Sequence, residues 1–136
     1  MSDIRLEGSC LCGAVAYTVE GEVRGFYHCH CERCRKVTGT GHASIILVGA
    51  DSVAWQQGES LLRRFDVPGA ERFASVFCSE CGSYLPRLSP AAGMVAVPAG
   101  SLDHDPGIRP EARIFSGSRT EWSCADALPA FDEYPQ

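Results

Sequence analysis

Seven of the eight cysteines in this 136-residue chain fall into three tight groups whose spacing fits metal ligation. Cys10 and Cys12 stand two residues apart and precede Gly13. Cys29, Cys31 and Cys34 lie within the run HCHCERC, residues 28–34. Cys78 and Cys81 form a CxxC knuckle closed by Gly82, which relieves the turn so that backbone N–H groups can face the sulfurs. Residues i and i+2 of an extended segment point to one face, so both thiolates of a CxC pair can meet one ion. A disulfide across that spacing would strain the backbone. Zinc takes four thiolates in a structural site, and three protein ligands plus an open position in a catalytic one. Seven divides as four plus three. A CxC and a distant CxxC make a closed four-cysteine zinc site from Cys10, Cys12, Cys78 and Cys81. Cys29, Cys31 and Cys34 are then left to form a cup for a second zinc, with one vertex vacant. Such a vertex can take an exogenous thiol, which metal coordination deprotonates, with zinc as the Lewis acid.

Other readings of the same residues stay open. Either group fits free thiols without metal, and the cup also fits a closed site completed by His28 or His30. Neighbouring side chains of a strand alternate faces, so His28 and His30 are expected to point away from Cys29 and Cys31. Arg33, Arg35 and Lys36 flank the cup. They either offset the negative charge of a three-thiolate zinc or hold a substrate carboxylate. Cys124 has no second cysteine near it and reads as a buried apolar thiol. His42 and His104 carry no motif and read as structural or surface residues, and Trp55 and Trp122 as core or rim aromatics. No general base stands out.

Hydrophobic residues make up 45% of the chain and charged residues 21%, ordinary values for a globular protein. The length suits one domain, residues 1–136, that buries roughly two-thirds of its unfolded surface. A formal net charge of -5 disfavours a broad electrostatic grip on nucleic acid or an anionic membrane. The start, MSDIRLEGSC, carries acidic Asp3 and Glu7 and no apolar run, so no signal peptide is expected. The run Ile45 to Val48 is far too short to span a bilayer. The expectation is a soluble cytoplasmic protein, whose reducing surroundings leave cysteines free for metal.

The elements that must position these groups read as short strands. Candidates are 14–19, 42–48, 61–67, 72–77, 83–88, 94–98 and 112–115, with Pro68-Gly69 turning between the third and fourth. Many short strands with recurrent glycine turns indicate an antiparallel β domain. Residues 31–38 and 123–128 alone look helical.

The blocks GSCLCGAVAY, HCHCERCRKVTG, FCSECGSYL and IFSGSRTEW…LPAFDEYP, in this order, resemble the glutathione-dependent formaldehyde-activating enzyme family, which also includes centromere protein V. The resemblance runs nearly end to end. It implies a mainly β fold: a small antiparallel β-tent domain organised around zinc, with one or two short helical turns. It implies two zincs per chain, a structural one on Cys10, Cys12, Cys78 and Cys81 and a catalytic-type one on Cys29, Cys31 and Cys34. It also implies a carbon–sulfur lyase that makes or breaks the C–S bond of S-(hydroxymethyl)glutathione, the thiol sulfur taking the open vertex. A small thiol, glutathione first among them, is the expected partner. Two competing functions share the same residues: a non-catalytic zinc-stabilised binding module, and a zinc- or redox-responsive thiol switch at the cup.

Overall fold

In chain order the elements are β1 (Asp3–Ser9), β2 (Ala16–Cys29), α1 (Glu32–Thr38), β3 (Ala43–Gly49), β4 (Val53–Gln57), β5 (Leu62–Asp66), β6 (Ala74–Cys78), β7 (Arg87–Ser89), β8 (Met94–Pro98) and β9 (Ala112–Ile114). The structure, a computed structural model, describes residues 3–123 and 127–135. The architecture is mainly antiparallel β. Strands run β1-β2-β3-β8-β7 across one sheet, with β4 and β9 also on β2, while β5 and β6 form a separate hairpin.

β2 is the spine, and it serves two sets of partners. Its first half pairs with β1 (Leu6↔Val19) and β4 (Tyr17↔Trp55). Its second half pairs with β3 (Cys29↔Ala43) and, in parallel, with β9 (Cys29↔Ile114). The changeover coincides with a register shift between Val23 and Gly25. A side chain at Gly25 would run into the Tyr27 ring at 2.4 Å, so a residue without Cβ lets the strand bend there.

The alternation of side chains explains where the core sits. In β1, Leu6 turns inward while Asp3, Arg5 and Glu7 stay in solvent. β3 is buried on both faces, which is why it reads as an unbroken apolar run. Its Ile46 and Val48 join Tyr17, Val19, Leu85 and Val97 in the main core. Its Ala43 and Ile45 instead join Cys29 and Cys34, with Leu47, Phe73 and Ile114 packed around them.

Five expected strands match observed ones with small changes of boundary: β3, β5, β6, β8 and β9. The expected strand 83–88 overlaps β7 (Arg87–Ser89) only at Arg87 and Leu88, and residues 16–19 of the expected strand 14–19 begin the much longer β2. β1 and β4 were not anticipated, because each carries a half-exposed alternation with little apolar character. The expected turn at 31–38 is α1, and half of the one at 123–128, residues 124–126, lies outside the described residues. No helix among the described residues is long and apolar enough to cross a membrane.

Candidate functional site

The first cysteine group is built from two like-shaped knuckles. Cys10 and Cys12 follow β1, and Gly13, at φ +79°, donates its N–H to the Cys10 carbonyl at 3.0 Å. Cys78 ends β6, and Gly82, at φ +76°, donates to the Cys78 carbonyl at 2.7 Å. Backbone N–H groups of Val15 and Glu80 point at the sulfurs of Cys10 and Cys78, at 3.3 and 3.4 Å. Ser83 ties the knuckles together. Its Oγ accepts the Leu11 N–H at 2.8 Å and lies 3.2 Å from Cys81 Sγ. That hydroxyl, followed by the backbone N–H groups of Ser83 and Cys12, holds the Cys81 thiol down to about 5. The four sulfurs lie within 4.8 Å of one another, with Cys10 to Cys12 at 3.6 Å and Cys12 to Cys78 at 4.0 Å. A tetrahedral zinc with Zn–S of about 2.3 Å needs sulfurs about 3.8 Å apart. The donor set therefore fits a metal ion of that size.

The second group sits where β2 runs into α1. Cys29 is the last residue of β2, and Cys31 is the N-cap of α1, its Sγ accepting the Cys34 N–H at 3.3 Å. Cys34 lies in the first turn, 1% exposed, and its carbonyl accepts the Thr38 hydroxyl at 2.7 Å. Gly39, at φ +72°, ends the helix by donating to the Arg35 carbonyl. The three sulfurs lie within 4.8 Å of one another, and among the described residues no fourth Cys, His, Asp or Glu joins the group. Cys29 is drawn down to about 6, first by hydrogen bonding with Cys34, and Cys34 is driven far up by the same contact and by burial. Thiols this close cannot all ionise unaided, and a bound cation removes the conflict.

The histidines gather elsewhere. His28 stands opposite Ser44 on the sheet face away from Cys29, its Nδ1 3.1 Å from Ser44 Oγ. The His42 ring lies 4.1 Å from that of His28 and 5.0 Å from that of His30. His30 is fully buried, and its Nε2 accepts from Arg113 at 3.1 Å. Burial first, then the nearby His42 and Arg113, hold both His28 and His30 below the usual imidazole range.

Of the three basic residues flanking the cup, two share a cavity. Arg33 and Lys36 line a hollow of about 300 Å³ together with Phe65, Val67 and Phe73. Arg35 is half-buried and lies outside it. A larger hollow, about 590 Å³, is lined by Cys10 and Ser83 on one side and by Val37, His42 and Ala43 on another. Trp55 packs edge-on against Tyr17 at 5.8 Å, whereas Trp122 and His104 are exposed. Cys124 lies outside the described residues.

Three residues near the cup escaped sequence reasoning: Phe73, Tyr84 and Arg87. Phe73 packs against the cup cluster, and the Arg87 guanidinium lies 4.2 Å over its ring. Arg87 Nε donates to the Tyr84 hydroxyl at 2.9 Å. The available signal was a charge in the middle of an otherwise apolar run, YLPRL.

The arrangement defines a class: a mainly antiparallel β protein carrying one closed four-cysteine group and one three-cysteine group, each able to hold a metal ion. Residues 5–118 match the model of the glutathione-dependent formaldehyde-activating enzyme family, and the chain belongs to that family. A Halomonas elongata protein, named provisionally as a glutathione-dependent formaldehyde-activating enzyme, is 32% identical over 126 residues, covering 86% of this chain and 78% of its own. The fold is shared with a crystal structure of a Rhodobacter sphaeroides protein, at a TM-score of 0.61 and 21% identity over 79% of this chain and 98% of that one.

Proposed function

We propose that this chain is a zinc-dependent carbon–sulfur lyase acting on a small thiol–aldehyde adduct of the S-(hydroxymethyl)glutathione kind, with zinc on both cysteine groups. The observation that carries the reading is a three-thiolate group with no fourth protein ligand among the described residues, in a family named for glutathione-dependent formaldehyde activation. Zinc bound in the cup would supply Lewis acidity toward the sulfur of an exogenous thiol. Cys29, Cys31 and Cys34 would hold that ion, and Cys10, Cys12, Cys78 and Cys81 would hold the structural one. Ala43, Ile45 and Phe73 pack against the cup and keep water from its buried side. Arg33 and Lys36, on the rim of the apolar hollow, take the substrate carboxylate. In the net reaction a C–S bond forms between thiol sulfur and aldehyde carbon while the S–H proton ends on the carbonyl oxygen, and the reverse step returns it. Solvent water carries the proton. A reducing cytoplasm suits these ligands.

Exchange NMR of carbon-13 formaldehyde with glutathione tests this. Protein with two zincs is expected to speed interconversion with the adduct, and folded Cys31→Ala to lose the effect. No acceleration with glutathione, cysteine or other small thiols would sink the reading.

A further inference from the structure

Among the described residues, Arg87 and His30 are the buried side chains of polar or charged type, and Arg87 is the one with a permanent charge. It is 7% exposed. Its partners are all neutral: the Tyr84 hydroxyl at 2.9 Å, the Arg72 carbonyl at 3.0 Å and the Phe73 ring at 4.2 Å. The ion pairs among the described residues are Arg5–Glu20, Arg64–Asp66 and Arg109–Asp105, so no carboxylate answers Arg87. Neutral hydrogen bonds satisfy the N–H groups of a buried guanidinium but leave its charge uncompensated, and a buried charge is costly without a counter-charge.

The sheet register shows which residues share a face with Arg87. Arg87 stands opposite Ala96, Ala96 opposite Leu47, and Cys29 opposite Ala43. Residues directly opposite share a face, and Ala43 and Leu47, four apart in β3, share one too. Arg87 therefore projects from the same sheet face as Cys29. Leu47 and Phe73, which line its path, both pack against the cup.

A dication held by three thiolates leaves a net charge of −1, and a fourth thiolate makes it −2. We propose that Arg87 is the counter-ion of the three-cysteine centre: a buried, pre-positioned cation that strengthens the cup's hold on its metal and on a further thiolate. This rests on the reading of the cup as a metal–thiolate centre. It assigns to Arg87 the charge-balancing role that Arg33 and Lys36, exposed and screened by salt, fill poorly. Arg87 is a positioning residue, acting through the metal centre.

The test compares Arg87→Gln, Arg87→Lys and Tyr84→Phe. Metal affinity at the cup is measured by chelator competition under native mass spectrometry, which resolves the second metal from the first. Binding of 2-mercaptoethanol to cobalt-loaded protein is followed by thiolate-to-cobalt absorption. Removing the charge should weaken both affinities roughly tenfold, the size of a one-unit pKa interaction. Arg87→Lys and Tyr84→Phe, which keep a cation in place, should stay within about threefold of wild type, and the four-cysteine metal should be unaffected. Equal losses in Arg87→Gln and Arg87→Lys, or no loss in either, would overturn the proposal. If Arg87→Gln does not fold, a tenfold loss in Tyr84→Phe or Arg87→Lys overturns it and near-native affinity in both supports it. Failure of wild-type cobalt protein to bind the thiol would count against the lyase reading and against the thiolate half of this proposal, while the metal-affinity comparison still decides whether Arg87 balances the charge of the metal centre.

Discussion

Replacing Cys78 with alanine should destabilise this protein far more than replacing Cys31. The four-cysteine group joins Cys12 to Cys78, 66 residues away. A cross-link closing a loop of that length removes about 4 kcal/mol of unfolded-chain entropy. Cys78 is also fully buried, so its truncation leaves a void worth roughly 1 kcal/mol more. A loss of about 5 kcal/mol is a large part of the 5–15 kcal/mol that holds a typical domain folded, and it lowers Tm by roughly 15 °C. The cup is a local structure by contrast, with Cys31 and Cys34 only three residues apart. Closing so short a loop accounts for about 2 kcal/mol, hence a Tm loss of roughly 6 °C. The assay is thermal unfolding by circular dichroism at fixed free zinc, with metal content measured on the same samples. Equal Tm losses in the two variants, each retaining one metal, would refute the assignment of the four-cysteine group as the long-range staple. So would an unchanged Tm in Cys78→Ala.

Tyr17 is 1% exposed, and burial, before any other influence, pushes its phenol up to about 12. Above pH 10 the unfolded chain loses this proton while the folded chain keeps it, so stability should fall by about 2 kcal/mol between pH 10 and 12. Tyr17→Phe should lack that component in alkaline urea titrations, and an unchanged slope would contradict it. Gly58 sits at φ +76°, and a Cβ there would meet the Ala14 carbonyl oxygen at 2.2 Å. Gly58→Ala should therefore cost about 2–4 kcal/mol in denaturant unfolding, against about 1 kcal/mol for Gly13→Ala, whose Cβ would meet nothing within 4 Å. Arg33→Glu and Lys36→Glu should each raise KM for an anionic thiol adduct roughly tenfold with little change in kcat, and a fall in kcat alone would place these residues elsewhere in the reaction.

The two cysteine groups were legible in the sequence because their members are local pairs. Two thiolates at i and i+2, or in a knuckle closed by glycine, leave few ways to divide seven cysteines. β3 and β8 were legible for a similar reason, as each is an unbroken apolar run. β1 was hidden because Asp3, Arg5 and Glu7 alternate with a few apolar residues. The extent of β2 was hidden because Gly21 and Gly25 punctuate a strand that continues through both. Arg87 could not be placed at all from its own segment. Its position on the face of Cys29 follows from the strand order β2-β3-β8-β7, a tertiary fact that local spacing does not encode. The three histidines show the same limit. Alternation turned His28 away from the thiolates, but the meeting with His42 depends on the β2–β3 register.

The central claim is that the two cysteine groups are separate metal centres, one closed and one open. Native mass spectrometry of protein purified without chelator or added zinc tests it most directly, on wild type, Cys31→Ala and Cys78→Ala. The account predicts two zincs in the wild type and one in each variant, with a small thiol adding to the wild type and to Cys78→Ala but not to Cys31→Ala. A single zinc in the wild type that persists in Cys31→Ala, even after zinc reconstitution, would contradict it.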